Sequence, residues 1–137
     1  YYGGADYPAQ ADKTVVRFAM IETAAALDNL DDILSVEGLD AVYIGPSDLS
    51  LALGCKPSMD DLEPKAQQAV EHILARAKHH GVVAGIHNAG PASALRRIAM
   101  GFQFVTVSSD AKLIAEGSQQ VMAAMRAGQA AKPSSGY

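Results

Sequence analysis

Residues 40–54, DAVYIGPSDLSLALG, join a short apolar segment to a polar turn. The apolar AVYI tetrapeptide is rich in β-forming residue types and predicts a strand over 40–45. Gly45 and Pro46 end that strand, and Asp48 follows before apolar residues resume. Because a buried strand here leads directly to a carboxylate, the residues that follow each strand are the candidates for a functional site.

Strands and helices alternate on both sides of this stretch. Apolar residues recur at helical spacing in the longer segments, and β-branched or aromatic residues dominate the shorter segments between them. A loop over 1–13 and a flexible tail over 128–137 flank these elements. The predicted order is strand 14–22, helix 24–38, strand 40–45, helix 60–80, strand 82–88, helix 91–101, strand 102–108 and helix 110–127.

This alternation predicts an α/β fold with a parallel sheet covered by helices. Four βα units over 14–127 are about half of a (β/α)8 barrel, which usually needs ~250 residues. A small open α/β sandwich fits the length better if the chain is complete, and periodicity does not decide between the two. Because the chain begins at Tyr1 without a Met, we expect it to be a fragment or a processed product.

Composition narrows the class of protein. The formal net charge is −4, which argues against nucleic acid as a partner. No apolar run approaches the ~20 residues that span a bilayer, so we expect no membrane association. The single cysteine, Cys55, cannot form an internal disulfide, which suits a cytoplasmic protein.

Two carboxylates follow consecutive predicted strands. Glu22 comes after the first strand and Asp48 after the second, and consecutive strands are usually neighbours. Two unpaired carboxylates at one sheet edge repel, and a divalent cation such as Mg²⁺ or Mn²⁺ resolves that repulsion. The alternatives are that Asp48 caps a helix and that Glu22 pairs with an Arg or Lys.

The motifs around these carboxylates resemble the HpcH/HpaI aldolase family. MIET at 20–23 is followed 25 positions later by GPSDLSLALG, and residues 29–50, which run up to and into that second motif, are similar to the family almost throughout. AGIHN at 84–88 and GFQFVTVSSD at 101–110 are also similar to its later strands. The resemblance extends from residue 1 to about residue 127.

The resemblance implies a (β/α)8 barrel of which this chain is the second half. It implies a metal-dependent class II aldolase that cleaves a 4-hydroxy-2-oxo acid to pyruvate and an aldehyde. Glu22 and Asp48 would then bind Mg²⁺, Mn²⁺ or Co²⁺. The backbone N–H groups of Ser47 and Asp48 would bind the oxo acid, and Gly45 would let the backbone approach it. Family members are oligomers in which the last helix is often exchanged, so we expect a homo-oligomer.

A lysine Schiff base is the other common way to stabilise the enolate that such a cleavage forms. No Lys directly follows a predicted strand, since Lys13 precedes one, Lys78 ends a helix and Lys112 lies inside a helix. The metal route is therefore favoured within this segment.

The chain also departs from the family. The family's catalytic Arg and acid/base His belong to the half that this chain does not contain, and Arg17 does not match that Arg. His87, after the third strand, is the one candidate for a catalytic role here, although a structural role in the site wall is the simpler interpretation.

Two further functions remain open at this point. One is an inactive half-barrel that binds metal weakly or not at all. The other is a barrel enzyme for phosphorylated substrates with an anion site at Ser108–Ser109, although no glycine-rich phosphate loop is present. The same serines, with Asp110, are the predicted cap of the last helix.

Overall fold

A computed structural model describes residues 4–130 and divides into two units, the first ending at Val107 and the second beginning at Ser108. The first unit carries all the strands of the described residues and most of the helices. Its elements are α1 (Tyr7–Thr14), β1 (Phe18–Ile21), α2 (Ala24–Asp28), α3 (Leu30–Leu34), β2 (Ala41–Ile44), α4 (Pro46–Ala52), α5 (Pro64–His80), β3 (Val83–Ile86), α6 (Pro91–Met100) and β4 (Phe104–Val105). The second unit is the helix α7 (Asp110–Ala130).

The four strands form one parallel sheet in the order β1-β2-β3-β4. Each crossover moves the chain one strand in the same direction, so right-handed connections place the intervening helices on one face. A doubly wound open sheet would instead reverse direction partway. The protein is therefore a partial (β/α)8 barrel rather than an open sandwich.

The register gives the sheet two different faces. The helix-facing side is apolar and carries Ile21, Ile44 and Ile86 in one row, each fully buried. Helix α5 packs there through the apolar face that its sequence predicts, including Val70 and Ile73. Burial of these side chains supplies most of the driving force for folding.

We call the other side the inner face, and define it by Phe18, Met20, Tyr43, Gly85 and Phe104. The rings of Phe18 on β1 and Phe104 on β4 lie 5.0 Å apart although two strands separate them. Since strands are spaced about 4.8 Å apart, the sheet must curl toward this face for the rings to meet. Both rings are about two-fifths exposed.

The predicted N-terminal loop over 1–13 is wrong for its second half. Residues Tyr7–Thr14 form helix α1, with Pro8 in the first turn, where a missing N–H has no cost. This segment buries no residue, which is why apolar periodicity did not reveal it. Strand β1 consequently begins at Phe18 rather than at 14.

Other predicted elements differ in their bounds. The helix predicted over 24–38 is two short helices that meet at Asn29, whose backbone, at φ −102° and ψ 21°, departs from helical values. Residues of the GPSDLS turn form helix α4, which was not predicted, and α5 starts at Pro64 rather than at 60. Strand β4 has only two residues.

The last predicted helix is longer than expected, since α7 runs to Ala130 and so includes the start of the predicted tail. The rest of that tail lies outside the described residues. Among residues 4–130, no helix combines the length and the hydropathy that crossing a bilayer requires.

Candidate functional site

A pocket of about 220 Å³ lies where the strands of the first unit end. Each of the first three strands contributes to it, directly or through the residues that follow it. Its walls are formed by Met20 of β1 and Glu22 just after it, Tyr43 of β2, Gly45, Pro46, Ser47 and Asp48 at the start of α4, Met59 from the loop before α5, and His87 after β3.

The carboxylates of Glu22 and Asp48 approach the same side of Gly45. A Cβ placed on Gly45 would lie 2.7 Å from Glu22 Oε2 and 3.5 Å from Asp48 Oδ2. The space in which the two oxygens converge therefore exists because residue 45 has no side chain. Glu22 is half-buried and Asp48 is exposed at the mouth of the pocket.

Neither alternative for these carboxylates is observed. Asp48 lies in the first turn of α4, which is capped by Gly45 without a side-chain hydrogen bond. Within residues 4–130, neither Glu22 nor Asp48 has an ion-pair or hydrogen-bonding partner for its carboxylate. A hard cation with oxygen ligands would fit the cradle above Gly45.

The same described residues contain no group of three His, Cys, Asp or Glu side chains placed to hold a metal ion. A cation at the Glu22–Asp48 pair would thus have two protein ligands. This number suits an ion such as Mg²⁺, which keeps several waters and binds substrate oxygens directly.

The first turn of α4 adds hydrogen-bond donors beside the carboxylates. Its N–H groups at Ser47 and Asp48 precede the first intrahelical bond, which Leu49 N–H donates to the carbonyl of Gly45 at 2.9 Å. Pro46 has no N–H to offer. Ser47 is half-buried and lines the pocket.

On the opposite wall, His87 belongs to a hydrogen-bonded cluster. Its Nδ1 lies 3.0 Å from the Tyr43 hydroxyl and 3.0 Å from Thr106 Oγ1, and the two hydroxyl oxygens are themselves 3.0 Å apart. The Tyr43 and His87 rings meet edge to face. All three residues are half-buried.

The sequence analysis identified Glu22, Gly45, Ser47, Asp48 and His87, and the structure brings all five to one pocket. It missed Tyr43 and Thr106, which it assigned only to strands. The alternation of side chains along a strand is the sequence feature that could have placed both residues on the inner face. Tyr43 shares a face with Gly45, and Thr106 shares one with Phe104, so each points toward the inner face.

Other candidates lie elsewhere. Ser109 caps α7, accepting a hydrogen bond from the N–H of Lys112, as predicted. Cys55 is buried, without an ion-pair or hydrogen-bonding partner for its thiol among the described residues. His80 joins Asp31 and Arg76 on the outer surface, where the hydrogen bond from Arg76 lowers the pKa of Asp31.

A family model described as HpcH/HpaI aldolase/citrate lyase matches residues 4–117. A hydroxypyruvate/pyruvate aldolase from Rhizorhabdus wittichii is 44% identical over 124 residues, which are 90% of this chain and 49% of that protein. A 5-keto-4-deoxy-D-glucarate aldolase from Salmonella arizonae is 39% identical over 116 residues, 85% of this chain and 44% of that protein.

A solved structure shares the fold. The crystal structure of an HpcH/HpaI aldolase/citrate lyase family protein from Burkholderia cenocepacia superposes with a TM-score of 0.77 at 28% identity. The similarity covers 89% of this chain and 47% of that one. The chain spans about half the length of the relatives that it matches.

Proposed function

This chain belongs to the HpcH/HpaI aldolase/citrate lyase family, and from that membership we propose that it supplies the metal and 2-oxo-acid site of a carbon–carbon lyase. The reaction would be reversible aldol cleavage of a 4-hydroxy-2-oxo acid to pyruvate and an aldehyde. The names of the two aldolase relatives support this class of reaction.

The observation that carries the proposal is the convergence of Glu22 and Asp48 on Gly45. Their two oxygens would hold Mg²⁺, Mn²⁺ or Co²⁺, whose preferences for carboxylate ligands overlap. A divalent ion held there would supply Lewis-acid stabilisation of developing negative charge on the substrate. Glu22 is the more enclosed ligand and Asp48 the more exposed one.

The oxo acid would bind beside the carboxylates. The N–H groups of Ser47 and Asp48 point out of the first turn of α4 and would donate to the substrate carboxylate. Gly45 permits the close approach, and Pro46 fixes the backbone at the turn. This placement and the family resemblance support substrate-binding roles for Gly45, Ser47 and Asp48.

The activity belongs to the whole protein, and this chain covers about half the length of its relatives. By resemblance, the proton transfers depend on an Arg and a His of the other half. An inactive half-barrel therefore remains the alternative for this chain alone. The phosphate-binding alternative has no supporting observation, because Ser109 serves as a helix cap.

We also propose a homo-oligomer, with α7 as the exchanged helix.

Titration with Mn²⁺, followed by the electron paramagnetic resonance signal of the free ion, tests the metal site on this chain. We expect one Mn²⁺ site, whose affinity falls at least about tenfold in Glu22→Gln and in Asp48→Asn. Loss of a residue that only hydrogen-bonds to a metal ligand already lowers metal affinity by that factor. The matched controls are Glu37→Gln and Asp12→Asn, which remove exposed carboxylates outside the pocket. Equal affinity in all five proteins would refute the site.

Pyruvate release from a 4-hydroxy-2-oxo acid, measured with Mn²⁺ or with EDTA, tests the reaction. Release that needs the metal and is lost in Glu22→Gln supports the lyase. Mn²⁺ binding without release supports the half-barrel alternative for this chain.

A further inference from the structure

The number of protons in the cluster of Tyr43, His87 and Thr106 limits which of its atoms donate hydrogen bonds and which accept them. Two hydroxyl protons are available for the three short contacts among Nδ1 and the two oxygens. If Nδ1 is unprotonated, one hydroxyl donates to it and the other donates to the first hydroxyl, so both protons are used. If Nδ1 carries a proton, one hydroxyl proton has no acceptor among the described residues. The cluster therefore favours the tautomer whose proton is on Nε2.

Hydrogen bonds of the backbone and of the Asn88 side chain fix the positions of the strand ends that carry this cluster. His87 N–H donates to the carbonyl of Ile44 at 3.0 Å, extending the β2–β3 ladder to the pocket. Asn88 Nδ2 bridges the carbonyls of Ile86 and Thr106 at 3.0 and 3.1 Å, which ties the end of β3 to the end of β4. His87 is thus placed by its backbone and its ring by two hydroxyls.

Gly85 makes room for this arrangement. A Cβ at that position would lie 2.9 Å from Tyr43 Cδ2 and 3.0 Å from Phe104 Cδ1. Only a residue without a side chain lets the Tyr43 ring lie across β3 and bring its hydroxyl to His87.

His87 is in the same pocket as the carboxylate pair but is not a third ligand. Residues 4–130 contain no group of three metal-ligating side chains that includes it, and Nδ1 is already engaged by the hydroxyls. The nitrogen that remains for a ligand is Nε2. No described residue hydrogen-bonds to Nε2, and it is not among the buried polar atoms that lack a partner.

We propose that His87 donates a hydrogen bond from Nε2 to an oxygen on the part of the substrate that the metal does not hold, with Tyr43 and Thr106 as positioning residues. The inference rests on the proposed function, because it takes the carboxylate pair to bind the 2-oxo-acid end. It predicts selectivity for 2-oxo acids whose far end carries a hydroxyl or carboxylate oxygen over those that end in an alkyl group.

A pair of probes isolates this contact. 2-Oxoglutarate and 2-oxopentanoate have the same chain length and differ in a terminal carboxylate against a methyl group. With Mg²⁺ present, we expect calorimetry to show tighter binding of 2-oxoglutarate by about tenfold or more, the size of one hydrogen bond to a charged group. His87→Leu should abolish that preference, so that the two probes bind with equal affinity. His87→Gln, which keeps an N–H donor, should retain part of it.

The positioning roles have their own readout. Ring-¹⁵N-histidine spectra of the metal-free chain should show His87 as the Nε2–H tautomer with a hydrogen-bonded Nδ1. Tyr43→Phe and Thr106→Val should each shift that Nδ1 resonance, and 2-oxoglutarate with Mg²⁺ should shift Nε2 in the native chain. A His87 spectrum identical to that of exposed His79, unchanged in both variants, would overturn the positioning roles.

The outcomes separate this inference from the metal site. Absence of Mn²⁺ binding contradicts the proposed function, while the metal-free spectra still decide whether the hydroxyls hold Nδ1. Metal binding with equal affinity for the two probes, in the native chain and in His87→Leu, overturns the role of His87 alone.

Discussion

Gly45 is the residue on which the carboxylate pair depends most directly. Its φ is −93°, so an alanine fits the backbone without strain. The added Cβ would nevertheless displace Glu22 Oε2, 2.7 Å away, which is the end of a flexible side chain. We expect Gly45→Ala to fold with a free energy of unfolding within about 1 kcal/mol of the native value, and to lose at least about tenfold in Mn²⁺ affinity.

Gly90→Ala is the matched control for that substitution. Its backbone is extended, at φ −178°, and no heavy atom lies within 4 Å of the added Cβ. We therefore expect Gly90→Ala to have the same free energy of unfolding in urea and the same Mn²⁺ affinity as the native chain. Unaltered metal affinity in Gly45→Ala would mean that the pair does not meet above Gly45.

The carboxylates could be predicted from the sequence because Glu22 and Asp48 follow consecutive strands and belong to motifs that resemble the family. Their positions alone left helix capping and ion pairing open as alternatives. Tyr43 and Thr106 could not be singled out in that way. Their hydroxyls gain a role only when β2, β3 and β4 meet, and each residue by itself is an ordinary strand former.

At the scale of elements, Asn88 joins β3 to β4 where the ladder ends. Its Nδ2 donates to two carbonyls, and its buried Oδ1 has no hydrogen-bonding partner among the described residues. Asn88→Ala removes both bonds, and we expect a loss of about 1–3 kcal/mol in urea unfolding. Asn88→Asp should cost more, because it places a carboxylate oxygen against two carbonyl oxygens. A smaller loss in Asn88→Asp than in Asn88→Ala would contradict this bonding pattern.

Helix α5 could be predicted because it packs against the core, whereas α1 and α4 were not predicted. Helix α5 buries Ala66, Val70 and Ile73 at helical spacing, and its pattern is clear in the sequence. Helix α1 buries nothing and was taken for a loop. Helix α4 was missed for another reason, since its seven residues begin with Pro46 and a polar pair that also suit a turn.

At the scale of the whole molecule, the periodicity of the sequence left the order of the strands undecided. An open sandwich and a partial barrel share the same alternation of elements, and only the β1-β2-β3-β4 order separates them. The curl that brings Phe18 to Phe104 depends on contacts across the full sheet, which local periodicity does not contain.

The inner face determines how the chain behaves in isolation. Phe18, Met20 and Phe104 are each at least two-fifths exposed on it, and among the described strands β1 and β4 have one neighbour each. In a closed barrel such a face is filled by side chains and such edges are paired. We therefore expect this chain to bind the dye ANS and to associate increasingly with concentration in sedimentation velocity.

Variants identify the surface responsible for that association. Phe18→Ser with Phe104→Ser should lower both ANS binding and association, because it removes the two largest apolar groups of the inner face. Val36→Ser removes an apolar side chain that is more exposed, at 60%, but stands apart from that face, and it should change neither. Association that persists in the double variant and is lost in Val121→Ser with Met122→Ser would assign the contact to α7 instead, the helix that we propose is exchanged between copies. A monomer that does not bind ANS would show that the inner face is not available to partners.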